Sequence, residues 1–194
     1  MDHYGIDHAA WLGTSMGGQI GMRLASGGAG DRLTCLLIND IGPEVPQLAI
    51  ERILSYVGNL PHFDSFGQAE IWLHSAYAPF GPAPDSFWHR MTRASLRRCG
   101  DGRLTMHYDP RIVRYLSDAP DEMTTWDRWT RITTPTDVFG GAQSDLLTAE
   151  ILQRMSTTGP KPRHTLFEGC GHAPTLSRAS DIERVNEVLS NLMR

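Results

Sequence analysis

The sequence predicts an α/β fold built on a mostly parallel sheet of about four strands. Short apolar segments alternate with helix-like segments at both ends of the chain, which is typical of a parallel sheet covered by helices. The apolar segment 33–38 is continuous rather than alternating, as in strands that are buried on both faces. A long middle segment, rich in Pro and aromatic residues, separates the second predicted strand from the third.

The predicted elements follow one another in a regular order. A helix over 16–26 follows the first strand and ends before Gly27 and Gly28, which are typical residues at a helix C-terminus. The last helix, over 181–192, carries its apolar residues on one face. The four predicted strands are, in chain order, 9–12, 33–38, 136–139 and 164–167.

The middle segment predicts a second structural unit. We expect an α/β core formed by residues 1–42 and 130–194, and a helical cap or lid formed by residues 43–129. Most of the aromatic residues fall in this cap. They have two interpretations: small helices need large side chains to make a core, or the aromatic side chains line an apolar substrate pocket.

The composition excludes several classes of protein. The 194 residues carry a net charge of −4, which gives no electrostatic reason to expect a nucleic acid or an anionic membrane as a partner. Cys35, Cys99 and Cys170 form neither a disulfide framework nor a metal-ligand pattern, which fits a reducing cytoplasm. No apolar run approaches about 18 residues, and no signal-peptide pattern is visible at the N-terminus. We expect a cytoplasmic protein and leave its oligomeric state open.

One motif carries chemistry: Gly13-Thr14-Ser15-Met16-Gly17, between the first strand and the first helix. A serine on such a tight strand-to-helix turn adopts a strained backbone that exposes its hydroxyl, and small residues two positions before and after it let strand and helix pass closely. We therefore expect glycine to be needed at Gly13 and Gly17. The N–H of Met16, at the start of the helix, points toward a developing oxyanion.

A nucleophilic serine needs a base, and the base needs an acid that orients it. His172 follows the last predicted strand in Gly169-Cys170-Gly171-His172, and Asp145 follows the third strand in Gly140-Gly141-Ala142-Gln143-Ser144-Asp145. Asp40, just past the second strand, is the alternative acid. We favour Asp145 because it lies one strand before the histidine loop and has its own Gly-Gly lead-in.

These three motifs together resemble those of α/β-hydrolase-fold serine hydrolases, with the esterase and enol-lactonase-like branch as the most similar type. The resemblance implies Ser15 as nucleophile, His172 as base, Asp145 as acid, and the segment 43–129 as the family's helical cap. It implies a small-molecule acyl substrate, meaning an ester, thioester or lactone, and neither a metal nor an organic cofactor.

The sequence departs from the family pattern in one respect. The family has an earlier part, with several strands and a His-Gly loop that supplies the second oxyanion N–H, and no His-Gly dipeptide occurs here. We expect a chain that corresponds to the later part of the family's fold. Two alternatives stay open beside the enzyme: a hydrolase-like protein that binds a ligand as a receptor, and a non-catalytic fragment of a longer hydrolase.

Overall fold

A four-stranded parallel sheet forms the centre of the computed structural model, which describes residues 1–57, 60–114 and 123–193. The strands of the described residues are β1 (Ala9–Thr14), β2 (Leu33–Asn39), β3 (His62–Phe63), β4 (Leu96–Arg98), β5 (Leu104–Met106), β6 (Thr136–Gly141) and β7 (Arg163–Phe167). In the parallel sheet the order is β1-β2-β6-β7, so β2 and β6 occupy the middle. A second, antiparallel sheet has the order β3-β5-β4.

Helices cover both faces of the parallel sheet, as the alternation of segments predicts. They are α1 (Met16–Ala25), α2 (Gln47–Val57), α3 (Phe66–Ala76), α4 (Asp85–Ser95), α5 (Trp126–Trp129), α6 (Ala149–Thr157) and α7 (Ala179–Leu192). The predicted α/β fold with about four parallel strands is therefore confirmed, and each strand begins and ends within a few residues of its predicted bounds.

The continuous apolar sequence of β2 is explained by its position between two helical layers. Leu36 and Ile38 pack with residues of α1 and α6 on one face, and Leu37 packs with Phe139, Phe167 and residues of α7 on the other. Successive side chains of a strand point to opposite faces, so a central strand needs apolar residues at every position. Each such buried side chain contributes about 1.5–3 kcal/mol to folding.

The segment between β2 and β6 contains more than the helices that its sequence predicts. Its middle forms the small antiparallel sheet, whose strands of two or three residues are too short to show a period in the sequence. A separate hydrophobic cluster there contains Phe63 and Leu73, with Trp72 and Tyr77 packed against it. These aromatic side chains pack as a core, which supports the first of the two interpretations. By contrast, α2 and α5 contribute Ile50, Trp126 and Trp129 to the main core.

Parallel strands bring their C-terminal ends to one edge of the sheet. Residues that directly follow β1, β2, β6 and β7 therefore lie near one another, although they are far apart in sequence.

None of the helices in the described ranges combines the length and the apolar character of a membrane-spanning helix.

Candidate active site

Ser15 lies in the sharp turn between β1 and α1. Its backbone has φ 52° and ψ −119°, an unusual conformation for a residue with a side chain, and its N–H donates to the carbonyl of Asn39 at 2.9 Å. Such strained positions persist only where the surrounding structure holds them, and they are concentrated at functional sites. The first N–H groups of α1, beginning with Met16, have no carbonyl of a preceding turn to bond, so this helix end offers donors to a negative group.

The close approach of strand and helix depends on Gly13, as expected, but not on Gly17. A Cβ on Gly13 would lie 2.2 Å from the carbonyl oxygen of Gly17, whereas a Cβ on Gly17 would meet nothing within 4 Å. The second crowded position is Gly18, where a Cβ would lie 2.4 Å from Cγ2 of Ile41. The expectation for Gly17 is thus corrected: one further residue turns the helix by about 100° and brings Gly18, not Gly17, against the sheet.

His172 joins Ser15 to a carboxylate. Its Nε2 lies 2.8 Å from Oγ of Ser15, and its Nδ1 lies 2.8 Å from Oδ2 of Asp40. Because an ionised carboxylate only accepts hydrogen bonds, this network assigns the proton to Nδ1, and Nε2 is then the acceptor of the Ser15 hydroxyl. The histidine is 8% exposed, so water has little access to the imidazole.

The acid beside His172 is Asp40, which corrects the expectation that Asp145 takes this place. Asp40 directly follows β2 with a positive φ of 59°, and it is fully buried. Its Oδ1 accepts the N–H of Gly141 at 2.8 Å, and its Oδ2 accepts the hydroxyl of Ser144 at 2.8 Å in addition to His172. Three donors thus compensate the burial of one carboxylate.

Asp145 faces the opposite way. The chain turns after β6, with the N–H of Ser144 bonded to the carbonyl of Gly141 at 3.0 Å, so that Ser144 faces Asp40. The next side chain then points outward, where the carboxylate of Asp145 pairs with Arg52 of α2 at 2.5 Å and 2.9 Å. The Gly140-Gly141 pair, which supports Asp145 in the sequence, precedes a turn that places Ser144, and not Asp145, beside Asp40.

Asn39 is a site residue that the sequence did not single out. Its amide nitrogen donates to Oγ1 of Thr14 at 3.1 Å and to the carbonyl of Pro174 at 2.9 Å. Thr14 precedes Ser15, and Pro174 lies two residues after His172, so one buried amide joins the two loops that meet in the site. Its buried carbonyl oxygen Oδ1 accepts no hydrogen bond from any group in residues 1–57, 60–114 and 123–193. Its position at the end of a buried strand, before Asp40, is the only sequence signal.

The histidine loop is also tied to its neighbours through the backbone. The N–H of Gly171 donates to the carbonyl of Pro79 at 2.7 Å, which connects this loop to the inserted segment. The N–H of Gln143 donates to the carbonyl of Cys170 at 2.9 Å, which connects it to the loop after β6. Burial raises the pKa of the Cys170 thiol, which disfavours its thiolate form.

The arrangement joins a serine hydroxyl, an imidazole and a buried carboxylate by hydrogen bonds, a geometry that suits nucleophilic attack on a carbonyl carbon. Within residues 1–57, 60–114 and 123–193, no group of three or more His, Cys, Asp or Glu side chains is placed to hold a metal ion.

Comparison with known proteins identifies the family. The sequence model of the alpha/beta hydrolase family matches residues 1–186 of this chain. The chain is also 35% identical, over 179 residues, to the 3-hydroxybutyrate-oligomer hydrolase of Cupriavidus necator. This alignment covers 88% of the chain but 61% of that protein, so the chain spans about three fifths of the length of its relative.

Solved structures share the fold, among them two proteins that are described as hydrolases. A protein of Rickettsia typhi that is described as a hydrolase superposes with a TM-score of 0.85 and 29% identity, over 98% of this chain and 65% of its own. An alpha/beta hydrolase of Novosphingobium aromaticivorans superposes with a TM-score of 0.83 and 27% identity, over 97% of this chain and 67% of its own.

Proposed function

Since this chain belongs to the alpha/beta hydrolase family, we propose that it is a serine hydrolase that cleaves a carboxylic ester, thioester or lactone. The observation that carries the proposal is the hydrogen-bonded series Ser15–His172–Asp40, with both donor–acceptor distances at 2.8 Å. This series has the geometry that nucleophilic catalysis by serine requires.

The steps follow from the positions of the protons. The oxygen of Ser15 attacks the carbonyl carbon of the substrate while its proton passes to Nε2 of His172. The imidazolium then protonates the leaving oxygen or sulfur, which belongs to an alcohol, a hydroxy acid or a thiol. The acyl group remains on Ser15 as an acyl-enzyme. Water attacks this ester in the second half of the reaction and gives a proton to Nε2 of His172, which passes it to the departing oxygen of Ser15 as the carboxylic acid is released. Asp40 holds Nδ1–H throughout and stabilises the positive charge on the ring.

The oxyanion that forms at each attack needs hydrogen-bond donors. We assign the N–H of Met16 to this role, because it is the first amide of α1 and directly follows the nucleophile. The positive end of the α1 dipole lies at the same place and adds to the stabilisation of a negative oxygen.

The relative from Cupriavidus necator suggests a substrate to test first. Oligomers of 3-hydroxybutyrate are carboxylic esters in which each leaving group is the hydroxyl of a small acid, and carboxylic esters are substrates that a Ser-His-Asp series cleaves. We therefore propose a small acyl ester, with the ester of a short hydroxy acid as its first candidate.

The proposal is tested by labelling Ser15 with a fluorophosphonate and locating the adduct by mass spectrometry. We expect one adduct, at Ser15, and release of 3-hydroxybutyrate from its dimer or of nitrophenol from a short-chain nitrophenyl ester. Both signals are expected to vanish in Ser15→Ala. Ser177→Ala is a matched control, because Ser177 is a partly buried serine bonded to Thr175 and not to His172.

Two results would contradict the proposal. Labelling that is absent from the folded chain, or that persists in Ser15→Ala, would show that Ser15 is not an activated nucleophile. Stoichiometric labelling without turnover of any ester would favour a ligand-binding protein instead. Circular dichroism on the same samples confirms that each variant is folded.

A further inference from the structure

We propose that Ser144 is a positioning residue: its hydroxyl holds the carboxylate of Asp40 in the orientation that His172 needs. The inference rests on the proposed function and extends it to a residue outside the Ser15–His172–Asp40 series. Ser144 Oγ lies 2.8 Å from Oδ2 of Asp40, the same oxygen that accepts from His172. The hydrogen bonds of this hydroxyl run to Asp40 and to two backbone N–H groups, so its action on the site passes through Asp40.

The direction of the Ser144 hydroxyl proton is fixed by two other hydrogen bonds. Oγ of Ser144 accepts the backbone N–H of Leu146 at 3.2 Å and that of Leu147 at 3.1 Å. A hydroxyl has two acceptor lone pairs and one proton, so with both lone pairs used the proton is directed at Asp40. The hydroxyl is therefore a donor to the carboxylate in the folded protein, and it cannot rotate away without breaking other bonds.

Asp40 needs such a donor because its terminal torsion is soft. The carboxylate of an aspartate rotates over a broad range about its last bond, and this rotation would carry Oδ2 out of line with Nδ1 of His172. The N–H of Gly141 holds Oδ1, and Ser144 holds Oδ2 from a second direction. Two fixed donors on different oxygens leave one orientation, and that orientation is the one that meets the imidazole.

The loop that carries Ser144 is anchored on both sides. Leu146 and Leu147, the residues that donate to the hydroxyl, are 1% and 4% exposed and pack in the main core. Asp145 pairs with Arg52 of α2 at two positions. The hydroxyl is thus set in place before a substrate binds, which is the condition for a positioning group to act.

Loss of the hydroxyl acts through the orientation of Asp40. The Ser144 proton holds Oδ2 of Asp40 in line with Nδ1 of His172. Without it, the carboxylate is free to rotate away from Nδ1 and stabilises the imidazolium that forms during attack less well, so Ser15 reacts more slowly. A threonine keeps the donor and restores the rate, whereas it would not repair a defect in the packing of the loop.

The test is the rate of fluorophosphonate labelling at Ser15 at neutral pH. Three variants are compared with the parent chain: Ser144→Ala, Ser144→Thr and Ser156→Ala. Threonine keeps the hydroxyl at this half-buried position. Ser156 is a half-buried serine that bonds a carbonyl within its own helix, and so it controls for the loss of a serine hydroxyl.

We expect Ser144→Ala to label about tenfold more slowly at neutral pH, as for the loss of a hydrogen bond to a charged group. Ser144→Thr restores the rate, and Ser156→Ala behaves as the parent. An unchanged rate in Ser144→Ala, or a loss that Ser144→Thr shares, would each overturn the inference while leaving the proposed function intact. A parent chain that is not labelled at Ser15 would overturn both.

Discussion

Asp40 follows β2 and Asp145 follows β6, two strands that lie side by side in the sheet. The side chain of Asp40 is fully buried, and it accepts hydrogen bonds from a histidine, a serine and a backbone amide. The side chain of Asp145 is 46% exposed and is paired with the guanidinium of Arg52. Two similar carboxylates at the same edge of the sheet therefore have opposite surroundings.

The difference between the two aspartates comes from how soon the chain turns. Asp40 is the first residue after its strand, and its positive φ turns the side chain back over the edge of the sheet. Asp145 comes four residues after the end of β6, beyond a turn that presents Ser144 to the same place. A carboxylate next to a strand end is thus held by the sheet, whereas one farther along a loop is free to form a surface ion pair.

The largest expected effect separates the two carboxylates directly. Asp40→Asn keeps the shape of the side chain but loses the charge and offers an N–H to Nδ1, so the imidazole takes the wrong tautomer. We expect the turnover rate to fall about 10⁴-fold, as for the same substitution of the triad aspartate in a serine protease of a different fold. Asp145→Asn, in contrast, is expected to keep activity within about threefold, because a surface pair contributes little.

The measurement is kcat and KM for one ester, with thermal unfolding of both variants as a check on folding. Equal losses in the two variants, or a larger loss in Asp145→Asn, would return the role of the acid to Asp145. If the activity of Asp40→Asn falls only in proportion to the loss of folded protein, the carboxylate of Asp40 acts on stability and not on catalysis.

The next effect concerns Asn39, which precedes Asp40 and faces the other side of the site. Asn39→Ala leaves the buried carbonyl of Pro174 without its donor, so we expect a loss of about 1–3 kcal/mol in the free energy of unfolding. Asn39→Asp is expected to be worse at neutral pH, because a carboxylate oxygen would face that carbonyl oxygen, and to recover partly on acidification. Denaturant unfolding at two pH values measures both; an aspartate variant that is more stable than the alanine variant at neutral pH would contradict the role of the amide as donor.

A third carboxylate, Asp137 in β6, is buried like Asp40 and sharpens the comparison because it is less well compensated. It is 3% exposed and accepts from Arg163 at 3.2 Å. Burial raises its pKa, although the Arg163 guanidinium opposes the shift. A carboxyl whose pKa is higher in the folded than in the unfolded state costs stability as it ionises, so this cost grows as pH rises through the raised pKa.

Asp137→Asn removes this titration. We therefore expect the stability of the variant, relative to the parent, to increase as pH rises from about 3 to about 7, the range in which a carboxyl with a raised pKa ionises. Urea unfolding across this range measures the difference. A difference that stays constant, or that falls as pH rises, would show that the ion pair with Arg163 outweighs burial.

The smallest effect is expected for the exposed pair. A double-mutant cycle of Arg52→Met and Asp145→Asn should give a coupling energy of about 0.2–1 kcal/mol, because both side chains are partly exposed and screened by solvent. The coupling is expected to fall as salt is added. A coupling several times larger, or one that salt does not change, would mean that this ion pair holds the inserted segment to the core more firmly than its exposure indicates.

The sequence by itself determined the parallel α/β fold, since continuous apolar segments and helix-terminating glycines are local signals. It also determined the turn at Ser15 and the loop at His172, because glycines on either side of a chemically active residue are local signals too. Asp145 was the wrong choice for the residue beside His172 because the sequence has no signal for the direction in which a loop turns after its strand. Gly17 was misjudged against Gly18 for a related reason, the rotation of a helix relative to a sheet.

The tertiary structure alone decided which carboxylate meets the imidazole. Asp40 and Ser15 are separated from His172 by 132 and 157 positions along the chain, and only the parallel arrangement of β1, β2 and β7 brings them within hydrogen-bond distance. The supporting groups, Asn39 and Ser144, are ordinary polar residues in the sequence. They become part of the site because a buried carboxylate and a buried loop carbonyl each need donors, and these needs exist only after the strands have packed.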